Sequence, residues 1–223
     1  MTRFEKKTII AAIAITSCFT GAEAETPVSG DNHFGVRASM EITSPGNSHS
    51  DYNNGAGFSV GGIYRFCLPH NFYFEPGLLG AYNTMGIKRP VELSEHFYEG
   101  TAKNFSFRIP LNIGYRIALL DNLGLDVFTG PWLNIGVTAK ESITPNFEAP
   151  LPDPAIADNN LYKKGWKRFD AQWGFGLSIT FAGCYHLGIC GGVGISPLAS
   201  YGNKTDKIKI RRNMFGISLG YNF

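Results

Sequence analysis

The chain has 223 residues, with 20 Lys and Arg against 18 Asp and Glu and a formal charge of +2. That balance excludes a nucleic-acid binder built on a basic stripe, and no stretch beyond the amino terminus is apolar for the roughly 20 residues a membrane-spanning helix needs. The 27 glycines and 13% aromatics instead suit strands that pack a narrow interior on one face and anchor at interfaces on the other.

In chain order, Arg3, Lys6 and Lys7 form a basic region before a short apolar run from Thr8 to Thr16, and Ala22-Glu23-Ala24 is an A-x-A cleavage site. This predicts a signal peptide over residues 1–24 and a mature domain over 25–223. Ile15-Thr-Ser-Cys18 also resembles a lipobox, which would make Cys18 a lipidated first residue. The remaining cysteines are Cys67, Cys184 and Cys190. Cys184 and Cys190 would lie about 20 Å apart on one strand, too far to bridge, so the three read as small apolar fillers.

Eight segments alternate large apolar residues with small or polar ones: 33–42, 56–66, 72–82, 105–117, 123–138, 169–181, 185–197 and 213–223. Period two is the mark of a strand with two unlike faces, and the lengths suit tilted strands crossing a bilayer. The connections 67–71, 118–122 and 182–184 are short. Those at 43–55, 83–104, 139–168 and 198–212 are long and polar. Short turns on one rim and long loops on the other predict a transmembrane antiparallel up-and-down β-barrel of eight strands in a bacterial outer membrane, both termini periplasmic. A further hairpin within 83–104 or 139–168 would raise the count to ten. Pro76, Pro110, Pro131 and Pro197 fall inside the proposed strands, where each removes a ladder donor.

The face opposite the apolar one carries Arg37, Glu41, Arg65, Glu75, Arg108, Arg116, Asp126 and Asp170 among many Gly and Ser. An eight-stranded barrel holds only side chains, so these predict a neutralised lumen plug, with Ile63, Leu79, Phe128 and Trp132 filling beside the glycines. The opposite assignment, charges out and apolar residues in, describes a soluble barrel. The export signal, the terminal phenylalanine and the loop asymmetry favour the membrane.

The chain's last stretch, Phe215, Ile217, Leu219, Tyr221 and Phe223, is the clearest of these strands. Phe105-Ser-Phe-Arg-Ile-Pro-Leu-Asn-Ile-Gly-Tyr115, with its I-P-L core, resembles a strand of the PorT-like outer-membrane β-barrel family. Gly174-Phe-Gly-Leu-Ser-Ile-Thr180 and Gly220-Tyr-Asn-Phe223 are similar to that family too. The resemblance implies an eight-stranded, or ten-stranded, barrel in a bacterium with two membranes. It implies that Tyr221 and Phe223 form an assembly signal read by the barrel-assembly machinery. It supplies no catalytic residues. Some relatives assist secretion across the outer membrane.

Candidate chemistry is sparse. His49 lies beside Ser48, Ser50 and Asp51, and His96 beside Ser94 and Glu95, but adjacency in a loop is not a converged triad. No cofactor and no metal site are predicted. The basic run Lys204, Lys207, Lys209, Arg211 and Arg212 is a candidate contact for lipopolysaccharide phosphates, the alternative being an ordinary charged loop. The sequence thus predicts a non-enzymatic outer-membrane barrel whose outer loops bind an unidentified protein or ligand or assist envelope biogenesis. The alternatives are a small solute or lipid channel and a rim enzyme acting on lipid A.

Overall fold

The eight alternating segments form eight long antiparallel strands: β1 (His33–Pro45), β2 (Gly55–Cys67), β3 (Phe72–Pro90), β4 (Phe97–Leu120), β5 (Leu123–Pro145), β6 (Phe169–Phe181), β7 (Tyr185–Gly194) and β8 (Arg212–Asn222). They belong to a computed structural model that describes residues 31–46, 52–90, 97–120, 122–145, 159–201 and 208–223; the signal peptide and Cys18 lie outside that range. Each strand pairs with its neighbour in sequence, and β1 closes the sheet on β8 from Gly35↔Asn222 to Pro45↔Arg212. The fold is a closed up-and-down barrel of eight strands, and the ten-stranded reading falls away.

One rim has tight turns. Pro69–Asn71 joins β2 to β3 with His70 and Asn71 at φ 61 and 62, and Ala182 and Gly183 join β6 to β7 at φ 50 and 71. Both ends of the barrel sheet, His33 and Asn222, lie on this rim. Pro110 stands where the β3–β4 ladder lapses and Pro131 where the β4–β5 ladder does, in each case without a change of register. Pro197 lies beyond β7, which ends at Gly194, and Ser196 there accepts a hydrogen bond from Ala171 N–H at 2.7 Å.

The other rim departs from expectation. A tilted crossing needs about 9–11 residues, yet β3, β4 and β5 have 19, 24 and 23. Residues 83–90, 97–104 and 139–145, read in sequence as loop, continue these strands. What changes along them is the phase of polarity. In the lower barrel Phe72, Phe74 and Leu78 of β3 face out and Tyr73 and Glu75 face in; higher up, Thr84 and Lys88 face out and Met85 and Ile87 face in. On β4 the outward series runs Tyr115, Ile113, Phe107, Phe105 and then Lys103; on β5 it runs Val127, Ile135, Val137 and then Lys140. An apolar outer face is matched to lipid and a polar one to water, so the bilayer ends between these residues. A β-bulge opposite Phe105/Ser106 marks the same level, leaving Val137 and Thr138 both exposed.

Above that level the barrel has a core of the soluble kind. Tyr52, Met85, Ile87, Ala102, Ala139, Leu161, Trp166, Leu198, Ala199 and Ile210 pack together, with Tyr162 against them. The 3₁₀ turn Leu161–Lys164 is capped by Asn160 Oδ1, which accepts from Tyr162 N–H, and places Leu161 in that core. A short hairpin, Ala199–Tyr201 with Ile208–Ile210, adds Ala199 and Ile210 to it.

Candidate functional site

Inside the membrane-spanning section the lumen is filled in layers. Parity on the strands puts every charged residue of the inner face toward the axis. In the lowest layer Asp126, fully buried, accepts from Arg116 Nε at 2.8 Å, Arg116 Nη2 at 3.0 Å, Arg65 Nη1 at 3.0 Å and Thr180 Oγ1 at 3.0 Å. Arg65 also donates to Glu75 from Nε at 2.8 Å, lies 2.6 Å from it through Nη2, and sits 3.9 Å over the Tyr73 ring. Arg37 reaches the same Glu75 oxygen at 3.4 Å.

The middle layer is a two-pronged pair. Arg108 Nη1 and Nη2 meet Glu41 Oε1 and Oε2 at 2.6 and 3.0 Å, while Ser39 and Ser59 donate to Glu41 at 2.7 and 2.9 Å. Such parallel charge-assisted bonds fix orientation as well as charge. Arg108 Nε donates to Asn134 at 3.2 Å, and Trp132 donates to Asn112 at 2.8 Å. Trp132 and Phe128 have room because Gly174 and Gly176 face them; a Cβ at either glycine would collide with the ring.

In the upper layer Asp170 receives Arg212 Nη2 at 3.1 and 3.0 Å, and Asn134 donates to Asp170 at 3.0 Å. Arg212 Nη1 donates to Asn104 at 3.3 Å, and Gln172 donates to the Arg212 carbonyl at 2.8 Å. Between the lower and middle layers lies a cavity of about 70 Å³, lined by Arg37, Glu75, Ile63, Leu79, Trp132 and His186 among others. It has room for a few waters.

The sequence assignment of Arg212 is thereby corrected. Read as an outer-loop cation, it is 2% exposed and paired with Asp170 inside the barrel. Its parity with Met214, Gly216 and Ser218, all inward, carried that information. Lys209 and Arg211 are exposed as a lipid contact requires, and Lys204 and Lys207 lie outside the described residues. The amides Asn104, Asn112, Asn134 and Gln172 were not assigned to the lumen network in the sequence; of them Asn134, accepting from Arg108 and donating to Asp170, ties the middle layer to the upper one. They too share the inward parity.

No converged catalytic group forms among the described residues. His49 and His96 lie outside them. His186 Nε2 is 3.5 Å from Ser218 Oγ, but His186 Nδ1 has no hydrogen-bond partner, so no carboxylate orients the ring as a base. Above the bilayer, burial raises the Tyr162 pKa, and Arg168, stacked 4.4 Å from its ring, opposes that rise.

At the short-turn rim aromatic rings form a run of contacts across the closing seam. Phe223 stacks on Phe34 at 6.0 Å and meets Tyr221 edge-on at 5.0 Å, and Tyr221 contacts Tyr185 at 5.4 Å. Phe223 N–H donates to the Phe34 carbonyl at 2.8 Å. Phe223 therefore fastens the closing seam from outside the ladder. Its deletion is expected to lower the fraction of heat-modifiable, protease-resistant protein in cell membranes more than the unfolding free energy of molecules that do fold. Unchanged folded protein in cells would remove the case for a terminal assembly signal.

Several solved structures are similar to the chain at low identity. Ail, the attachment invasion locus protein of Yersinia pestis, is 11% identical, with 87% of this chain and 99% of that one covered and a TM-score of 0.38. Neisserial surface protein A is 12% identical, with 85% and 97% covered and a TM-score of 0.38. The N-terminal β-barrel domain of Pseudomonas aeruginosa OprF is 12% identical, with 86% and 100% covered and a TM-score of 0.31. No curated protein sequence matches the chain. Residues 29–199 match the outer membrane protein beta-barrel domain, and the chain belongs to that family of bacterial outer-membrane barrels.

Proposed function

We propose that this is a non-enzymatic, non-conducting outer-membrane barrel that carries a raised extracellular rim for binding a partner or assisting envelope biogenesis. The observation that supports it most is the filling of the lumen: three ion-pair layers lie under an apolar core, at successive heights. An eight-stranded barrel has no width to spare around them. The rim formed by β3–β5 is paired up to Pro90↔Phe97 and Tyr98↔Pro145 and packed inside, so it presents a stiff surface rather than free loops. Within the wider family, the I-P-L strand favours the PorT-like branch. Residues 1–24 serve as the export signal of a bacterium with two membranes, and the barrel-assembly machinery reads Tyr221 and Phe223. Lys209 and Arg211, with Lys204 and Lys207, are proposed to meet lipopolysaccharide.

Purified protein in a planar bilayer is expected to show no stable conductance. Steady ion-selective steps from the wild type would overturn the sealed reading in favour of a channel. For the binding role, a photo-crosslinker placed at Lys88 on the rim should trap the same product repeatedly from intact envelopes, and one at lipid-facing Leu187 should not. Identical products at both positions would count against a rim-borne partner site.

A further inference from the structure

The outer surface of the barrel carries a second cationic cluster, on the opposite part of the chain from the basic run near residue 209. Lys103 of β4 and Lys140 of β5 are direct register partners, and both are exposed. Like charges directly opposite one another on neighbouring strands destabilise a sheet. Lys167 and Arg168, just before β6, are exposed lower on the same side of β5, with Arg168 level with Gly136. Arg168 is held against the β5 bulge by bonds to the carbonyls of Gly136 at 3.5 Å and Val137 at 3.3 Å, and by stacking on Tyr162. Among the described residues no carboxylate pairs with any of the four. The nearby Glu141 points inward, where it meets Lys164 at 3.0 Å.

The height of the cluster points to its occupant. Lys103 is one outward step above Phe105, so its Cα stands about 7 Å beyond the last lipid-facing aromatic of β4. Headgroups occupy roughly 5–8 Å on each side of the hydrocarbon. The lysines therefore project into the headgroup layer of the outer leaflet, beside an apolar surface that would seat acyl chains. We propose that Lys103, Lys140, Lys167 and Arg168 form a binding site for a phosphorylated glycolipid headgroup of the lipid A type. The phosphate relieves the repulsion between Lys103 and Lys140, and the oriented guanidinium of Arg168 supplies a two-pronged donor. The proposal rests on the outer-membrane location and not on the sealed lumen.

The test uses the refolded mature chain in phosphatidylcholine nanodiscs doped with either phosphorylated lipid A or its dephosphorylated form. Lipid retained per folded barrel is read by native mass spectrometry, and heat-modifiability reports folding. The wild type should retain the phosphorylated form in preference. Lys103→Gln/Lys140→Gln/Arg168→Gln should lose roughly a hundredfold of that preference, at the strength expected for three cations near an anionic surface. Because Arg168 also braces the bulge, Lys103→Gln/Lys140→Gln serves as the milder variant, with a loss of roughly tenfold or more. Lys163→Gln, at an exposed lysine of the 3₁₀ turn outside the cluster, should keep the preference.

Equal retention of both lipids by the wild type, or a wild-type preference in the milder variant, overturns the site. So does a loss in Lys163→Gln as large as in the triple variant. Displacement of the lipid by excess inorganic phosphate would make it a free-phosphate site instead. A conducting wild type would refute the sealed barrel and leave this outcome unaffected.

Discussion

Asp126→Ala should destabilise the barrel by about 3–5 kcal/mol, the usual cost of breaking a buried ion pair by removing one partner. Asp126 is fully buried and accepts from two arginines and a threonine. With its carboxylate gone, Glu75 alone faces Arg65 and Arg37, and Arg116 keeps no carboxylate partner. Urea unfolding in lipid vesicles, followed by heat-modifiability, measures the loss. Asp126→Ala combined with Arg116→Ala should recover part of it, since one uncompensated charge leaves with the other. A loss within a few tenths of a kcal/mol would mean that water, not protein, solvates the lower arginines.

The second large effect lies on the outer face. Leu177 of β6 is exposed between Phe169 and Phe181, which also face outward. Leu177→Arg near the bilayer midplane should cost about 2–4 kcal/mol, whereas Thr138→Arg, just above the proposed boundary, should cost about 0–1 kcal/mol. The same vesicle titration reads both. Equal penalties would place the hydrocarbon edge above the β5 bulge and undo the assignment of the upper barrel to water.

Most of the membrane section was legible because lipid imposes a single rule on all eight strands. Phe105, Phe107, Ile113 and Tyr115 alternate with Ser106, Arg108, Asn112 and Gly114, and period two with a strong apolar phase cannot be mistaken for a helix. The upper halves of β3–β5 were not legible for the same reason. There the inward residues include the small Ala102 and Ala139 while the outward ones are Thr101, Lys103, Lys140 and Ser142. Such a stretch has the composition of a loop, and only the partner strands reveal it as sheet.

The inner face was readable as a list of residues and not as a set of pairs. Which carboxylate meets which guanidinium depends on the stagger between strands distant in sequence, as with Arg108 and Glu41, or Arg65 and Asp126. Arg212 illustrates the limit from the other side. A parity count from Met214 assigns it inward, yet its four cationic neighbours from Lys204 to Arg211 make the segment read as a charged loop. Residue type pulled toward solvent and strand phase pulled toward the axis, and burial against Asp170 decided between them.

The reversal of polarity along β3, β4 and β5 also fixes how deep the protein sits. Sinking by one outward step would drag Lys103 and Lys140 into hydrocarbon, and rising by one would lift Phe105 and Val137 into water. The molecule thus has a depth stop with a play of about 7 Å, the length of two residues on a strand. The stop is carried by β3, β4 and β5, the strands that run on past their lipid-facing residues. A neighbour diffusing in the leaflet thus meets β3–β5 at a set height, with lipid-facing and water-facing contacts already sorted by level before any specific contact is made.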